Sequence, residues 1–90
     1  FGVFTMEKKY IFTVEFYDEV VQDIRERKWA ADQKIVDIER GVSITFTSTQ
    51  FVKVLEWVLS CGGNARPRAP EILVKQWERH INTMRKLLEK

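Results

Sequence analysis

Apolar residues alternate with polar ones from Tyr10 to Phe16 (YIFTVEF), with Tyr10, Phe12, Val14 and Phe16 on one side and Ile11, Thr13 and Glu15 on the other. Alternation rich in β-branched and aromatic residues predicts a strand with one buried face. From Asp18 the period changes. Val20, Val21 and Ile24 share a helical side, and Asp18 and Glu19 suit a helix start through capping and the helix dipole. This helix is expected to reach about Arg27. Residues 29 to 33 read as a connection. Val36 and Ile38 then alternate with Ile35, Asp37 and Glu39 in a second strand. Arg40-Gly41 reads as a tight turn in which glycine supplies a positive φ. Val42, Ile44 and Phe46 alternate with Ser43, Thr45 and Thr47 in a third strand, completing a hairpin.

Thr47, Ser48 or Thr49 is expected to cap the next helix, and Thr47 with Gln50 fits a capping box. Phe51, Val54, Leu55, Val58 and Leu59 form the cleanest amphipathic stripe in the chain, closed by Gly62-Gly63. Pro67 restricts any strand over residues 64 to 69 to a sheet edge. Pro70 and Glu71 open a last helix expected to reach Leu88 or beyond. The order β-α-β-β-α-β-α predicts an α+β fold. Its first six elements match a ferredoxin-like βαββαβ antiparallel sheet, with an extra long C-terminal helix. Two helices would cover one sheet face. The other would be open, carrying Thr13, Glu15, Asp37, Glu39, Ser43, Thr45, Arg66 and Arg68 together with Ile11 and Ile35.

Composition narrows the function. Ninety residues with 44% hydrophobic and 31% charged side chains describe one small globular domain. Such a chain buries a little over ~60% of its unfolded surface, enough for one thin core and hardly for a deep enzyme pocket too. Fifteen basic and thirteen acidic residues leave a net charge of +2, far from the footprint of a dedicated nucleic-acid binder. The aromatics of the first and third strands are expected on the helix-facing side, so the open face lacks a stacking platform for RNA. One cysteine, Cys61, allows no internal disulfide and favours a reducing compartment. No apolar run is long enough to span a bilayer, and no signal peptide is visible. The start at Phe1-Gly2, without Met, and the charged helical end read as a piece of a longer protein. Residues 1–9 read as a tail of a preceding domain and a linker, ahead of a domain over 10–90.

Catalytic chemistry finds no constellation. His80 is the only histidine and has no Cys or His at metal-ligand spacing. Cys61 sits at a helix C-terminus, where the dipole raises a thiol pKa. Gly62-Gly63 ends a helix rather than preceding one, so it is no phosphate loop. No catalytic residue, metal site or cofactor is assigned, and the chain is not expected to be an enzyme.

Two features allow a binding role. Arg25, Arg27 and Lys28 beside Trp29, with Arg66 and Arg68, could hold an anionic effector such as a nucleotide or single-stranded nucleic acid. Equally, the first three complement a helix C-terminus while Trp29 caps the core. The last helix places Val74, Trp77, Ile81, Met84 and Leu88 at 3-4-3-4 spacing, a coiled-coil-like seam. At about 19 residues it would span roughly 28 Å, longer than a small sheet needs. It either packs back on its own domain or reaches another chain or a preceding domain. Trp57 lies off the stripe of its own helix and is not expected in the centre of its own core. Trp57, Trp77, Ile81, Met84 and Leu88 are therefore the interface candidates.

The stretch from Phe16 to Gly63 resembles the C-terminal extension, or WCX domain, of WYL-domain transcriptional regulators. Trp29, Gln33 and Gly41 stand at matching positions in the first half. In FVKVLEWVLSCGGNARPRAP the matches are Trp57, Leu59, Ser60, Gly62, Ala65 and Pro70, and FGVF at the start looks like the exit from a WYL domain. Asp18, Cys61 and Pro67 depart from the family's usual proline, aromatic and apolar strand residue. The resemblance implies a bacterial, cytoplasmic regulator. Its winged helix-turn-helix contacts DNA, its WYL domain senses an effector, and its extension has a ferredoxin-like fold that contributes to homodimerisation and borders the effector site.

Overall fold

The computed structural model describes residues 1–90. Strand β1 (Tyr10–Tyr17) leads through a 3-10 turn (Asp18–Val20) into helix α1 (Val21–Glu26). Strands β2 (Lys34–Ile38) and β3 (Gly41–Ser48) form the hairpin, followed by α2 (Phe51–Ser60) and a 3-10 turn (Gly62–Asn64). Strand β4 (Ala65–Ala69) and helix α3 (Glu71–Leu87) complete the chain. The fold is α+β. Its four strands lie in the order β2-β3-β1-β4, and every neighbouring pair is antiparallel. β1 and β2 therefore run the same way with β3 between them.

One face of the two central strands makes the core. Phe12, Val14 and Phe16 of β1 and Val42, Ile44 and Phe46 of β3 are buried, together with Ile24 of α1, Val54, Leu55 and Val58 of α2, and Leu73 of α3. Alternation decides this because both strands are flanked on each side and covered on one face only. β4 is an edge strand, where Pro67 sits without breaking a ladder. Arg68 is an extra residue in its pairing with β1, where the register shifts between Thr13 and Val14.

Several local expectations are corrected. In β2, Ile35 and Asp37 stand opposite the inward-facing Ile44 and Val42, while Val36 stands opposite Ser43. Ile35 and Asp37 thus lie on the helix side, and Val36 and Ile38 take their place on the open face. The sequence KIVDI is apolar in either phase, so alternation does not decide it. The two-residue Glu39-Arg40 turn does, by fixing the register against β3, and an exposed ion pair from Arg25 to Asp37 accompanies it. The positive φ of that turn, 65°, belongs to Arg40 rather than to Gly41. Gly41 is needed for a different reason: a Cβ there would lie 2.0 Å from the Phe16 carbonyl oxygen.

Asp18 does not cap α1. It has φ 59°, its N–H donates to the Arg40 carbonyl at 3.3 Å, and its carboxylate accepts from the Arg40 guanidinium at 3.2 Å. Two left-handed residues thus hold the end of β1 to the hairpin turn.

No capping box starts α2, because Thr47 belongs to β3. Gln50 occupies the cap position without a side-chain bond, and its N–H donates to Ser48 Oγ at 3.0 Å. Ser48 and Thr49, both buried, serve the N-terminal segment instead. Ser48 Oγ donates to the Gly2 carbonyl at 2.7 Å, and Thr49 Oγ1 accepts from Phe4 N–H at 3.1 Å. Phe1 stacks on Phe46 with ring centres 5.4 Å apart. Gly62, at φ 56°, supplies the left-handed residue that ends α2. Pro70 precedes α3 as its cap residue, and the helix has 17 residues.

Gly41→Ala is expected to destabilise the fold by about 2–3 kcal/mol through overpacking against a fixed carbonyl. Gly63→Ala, with open space at its Cβ position, is expected to be neutral or to stabilise by up to about 1 kcal/mol. Urea unfolding of both variants checks the contrast.

Candidate interaction surface

Helix α3 divides into two halves. Glu71 and Lys75 form an i,i+4 pair at 3.1 Å in its first turns. Leu73 is fully buried, and Val74 and Trp77 are half-buried beside β4. Beyond Trp77 the helix leaves its own core. Met84 is 52% exposed, Leu87 62% and Leu88, just past the last helical residue, 86%. An apolar stripe this exposed is unusual for a solvated helix. Trp77, Ile81 and Met84 form one wall of a groove of about 470 Å³. Leu59 of α2, Gly62-Gly63, Ala65 and Tyr17 form the other, with Arg66 at the rim. Four interface candidates, Trp77, Ile81, Met84 and Leu88, therefore lie along one side of α3, half-buried at Trp77 and Ile81 and exposed at Met84 and Leu88.

Trp57 does not belong with them. Its indole sits 4.7 Å from Trp29, 4.9 Å from Phe16 and 5.0 Å from Phe1, ring centre to ring centre. From the flank of the stripe a side chain this large reaches sideways into the core. Trp57 is half-buried and lies off the centre of the core, packing against it from one flank.

The candidate effector residues do not converge. Arg25 pairs with Asp37, and Arg27 Nε donates to Asp23 at 2.9 Å while its guanidinium lies 5.9 Å from the Trp29 ring centre. Trp29 packs on Trp57, and its Nε1–H donates to the Ile24 carbonyl at 3.1 Å, so it caps both α1 and the core. Lys28 makes no ion pair. Arg66 and Arg68 sit on β4, at the opposite edge of the sheet from β2 and about 14 Å away by strand spacing. Gln33, carried only by its motif position in the sequence, is a clamp. Its Oε1 accepts from the N–H groups of Trp29 at 2.6 Å and Ala30 at 3.2 Å, and its Nε2 donates to the Arg27 carbonyl at 3.3 Å.

The open face satisfies itself. Thr13 and Thr45 hydroxyls meet at 3.1 Å across the central strands. Glu15 accepts from Tyr17 Oη at 2.6 Å and lies 3.8 Å from Arg68 Nε. The hydrogen bond to the Glu15 carboxylate holds the Tyr17 phenol above its ordinary 10.0. Burial pushes the Cys61 thiol up. No three His, Cys, Asp or Glu side chains come together in a group that could hold a metal ion. No helix is long and apolar enough to cross a membrane.

Sequence pattern located the seam of α3 but missed the groove's other wall, because Tyr17, Leu59 and Ala65 come from three separate elements. The only signal for that wall was the glycine pair, which leaves room beside the helix end. A scan against protein-family models and a search of curated proteins both found no match.

Two outcomes are expected. Trp57→Ala should cost about 3 kcal/mol of stability, whereas Met84→Ala should cost little, as read by thermal or urea unfolding. The second concerns pH. Asp32 Oδ1 accepts from the Thr47 N–H at 3.0 Å, which holds its carboxyl below the ordinary 3.8. A depressed folded pKa contributes stability above pH 3.8 that is lost as pH falls through the folded value. Asp32→Ala should therefore be less stable than the parent at neutral pH, with the gap closing in strong acid.

Proposed function

We propose that this chain is the C-terminal regulatory and dimerisation domain, of WCX type, of a bacterial WYL-type transcriptional regulator. In this reading the domain is ferredoxin-like and helps to assemble a homodimer. It couples effector sensing by the WYL domain to DNA binding by an N-terminal helix-turn-helix of the same parent chain, in the cytoplasm. It performs no catalysis of its own.

The observation that carries the assembly role is the apolar stripe of α3, anchored by Leu73 at one end and uncovered from Met84 to Leu88 at the other. Two further features support the reading. The strand order β4-β1-β3-β2, with one helix in each crossover, is what a split βαβ arrangement requires. The residues that carry the WCX resemblance also have demanding local roles: Trp29 caps α1, Gln33 clamps the following loop, and Gly41 admits the Phe16 carbonyl.

Sedimentation equilibrium of the 90-residue chain tests the role. A concentration-dependent dimer is expected, weakened about tenfold or more by Met84→Lys, which puts a charge into an apolar contact, with the circular dichroism unchanged. A chain that stays monomeric into the millimolar range overturns it. The regulator assignment is checked separately by the gene ahead of Phe1, where a helix-turn-helix and a WYL-type barrel are expected; an unrelated domain there overturns that assignment.

A further inference from the structure

We infer that the partner covering the free half of α3 is the same half-helix of a second copy, crossing antiparallel about a two-fold axis. This rests on the homodimer reading above and adds the orientation and the contacts that set it.

With Val74, Ile81 and Leu88 at a positions and Trp77 and Met84 at d positions, the flanking e positions are Glu78 and Arg85 and the flanking g positions are His80 and Leu87. Lys75, Gln76, Arg79, Asn82, Thr83 and Lys86 fall on the outer, polar face. Antiparallel helices bring e beside e and g beside g. Glu78 then meets the partner's Arg85, and Arg85 meets the partner's Glu78, so one two-fold axis forms both pairs.

Parallel helices bring g beside e. His80 would then face the partner's Arg85, and Glu78 would face the partner's Leu73, a residue already buried in its own core. Charge complementarity thus favours one orientation.

The monomer leaves the necessary groups free. Glu78 and Arg85 are both exposed and neither makes an ion pair. Glu78 lies in a shallow cleft with Arg66 and Arg68, yet pairs with neither.

The same alignment puts Ile81 against the partner's Met84 and Trp77 against the partner's Leu88. Each copy's most exposed large apolar residue on α3 thereby enters the other's groove, beside Leu59. The backbone at Gly62-Gly63 there has no heavy atom within 4 Å of either Cβ position, which admits a side chain. The N-terminal halves of the two helices point apart in this arrangement, which puts the two sheets at opposite ends of the contact.

Charge reversal tests the orientation in the 90-residue chain. Glu78→Arg alone and Arg85→Glu alone each place like charges at both ends of the interface, and each should weaken dimerisation about tenfold. An equimolar mixture of E78R and R85E chains should form a heterodimer, because in an antiparallel pair the reversed positions meet opposite charges at both ends. The double variant E78R/R85E should likewise recover affinity to within about threefold of the parent. Sedimentation of each variant, alone and mixed, reads all of this, and circular dichroism confirms that α3 is intact. A dimeric parent whose affinity neither reversal changes, or singles that weaken it without recovery in the mixture, overturns the antiparallel pairing and leaves the homodimer standing. A monomeric parent overturns both.

Discussion

The indole of Trp57 ties the N-terminal segment and the loop after α1 to the two central strands. It touches Phe16 of β1, Trp29 of the loop after α1, and Phe1, which itself lies on Phe46 of β3. Helix α1 has only six residues, too few to be stable on its own. It is held by Ile24 in the core and by Trp29, whose position is fixed by Trp57, by the Ile24 carbonyl and by Gln33. The seating of α2 on the sheet therefore organises the whole helical layer. It also fixes where α2 ends, and hence where Leu59 and Gly62-Gly63 stand. The groove beside α3 inherits its shape from an aromatic contact on the other side of the same helix.

Polar and apolar surface are treated differently by this fold. On the open face, hydroxyls pair with hydroxyls, and Glu15 is held by Tyr17 with Arg68 nearby. Arg27 and Arg25 are matched by Asp23 and Asp37, while Lys28 is unpaired. Exposed ion pairs of this kind contribute little to stability, but they engage the two arginines of α1 that would otherwise be offered to an anion. The apolar stripe of α3 has no such internal partner. Exposed apolar side chains cluster at its end, at Met84, Leu87 and Leu88, while Ile11 and Val36 stand exposed on the open sheet face.

Legibility followed the asymmetry of burial. β1, β3 and α2 each have one covered side, so Phe12, Val14, Phe16, Val42, Ile44, Phe46, Val54 and Val58 could be read from spacing alone. β2 lies at an edge and is apolar in both phases. Its facing was set by a turn, with Asp37 meeting Arg25 alongside, and alternation encodes neither. Trp57 lies off the centre of the core, in line with its place off the stripe, but its aromatic contacts were not legible, because helical periodicity tracks Cα direction while an indole on the flank of a stripe reaches past its neighbours. Asp18 and Arg40 adopt left-handed backbone that their residue types seldom take, and they do so while bonded to each other across the fold. Of the candidate site, the seam of α3 was legible and its facing wall was not. One lies along a single helix; the other is assembled from β1, α2 and β4.

The two supports for the functional reading are independent. The positions that match the WCX pattern end at Pro70, and Trp29, Gln33, Gly41 and Trp57 among them shape the domain's own interior and turns. They speak to the fold. The exposed stripe and the flanking charges begin after Pro70, the last of the named positions that carry the resemblance. A helix kept only for stability would have little use for Met84, Leu87 and Leu88 beyond the reach of its core, since exposed leucines add insolubility without adding burial. Their placement at seam and flank positions, with opposite charges seven residues apart on one side, is what the proposed pairing with a second copy rests on.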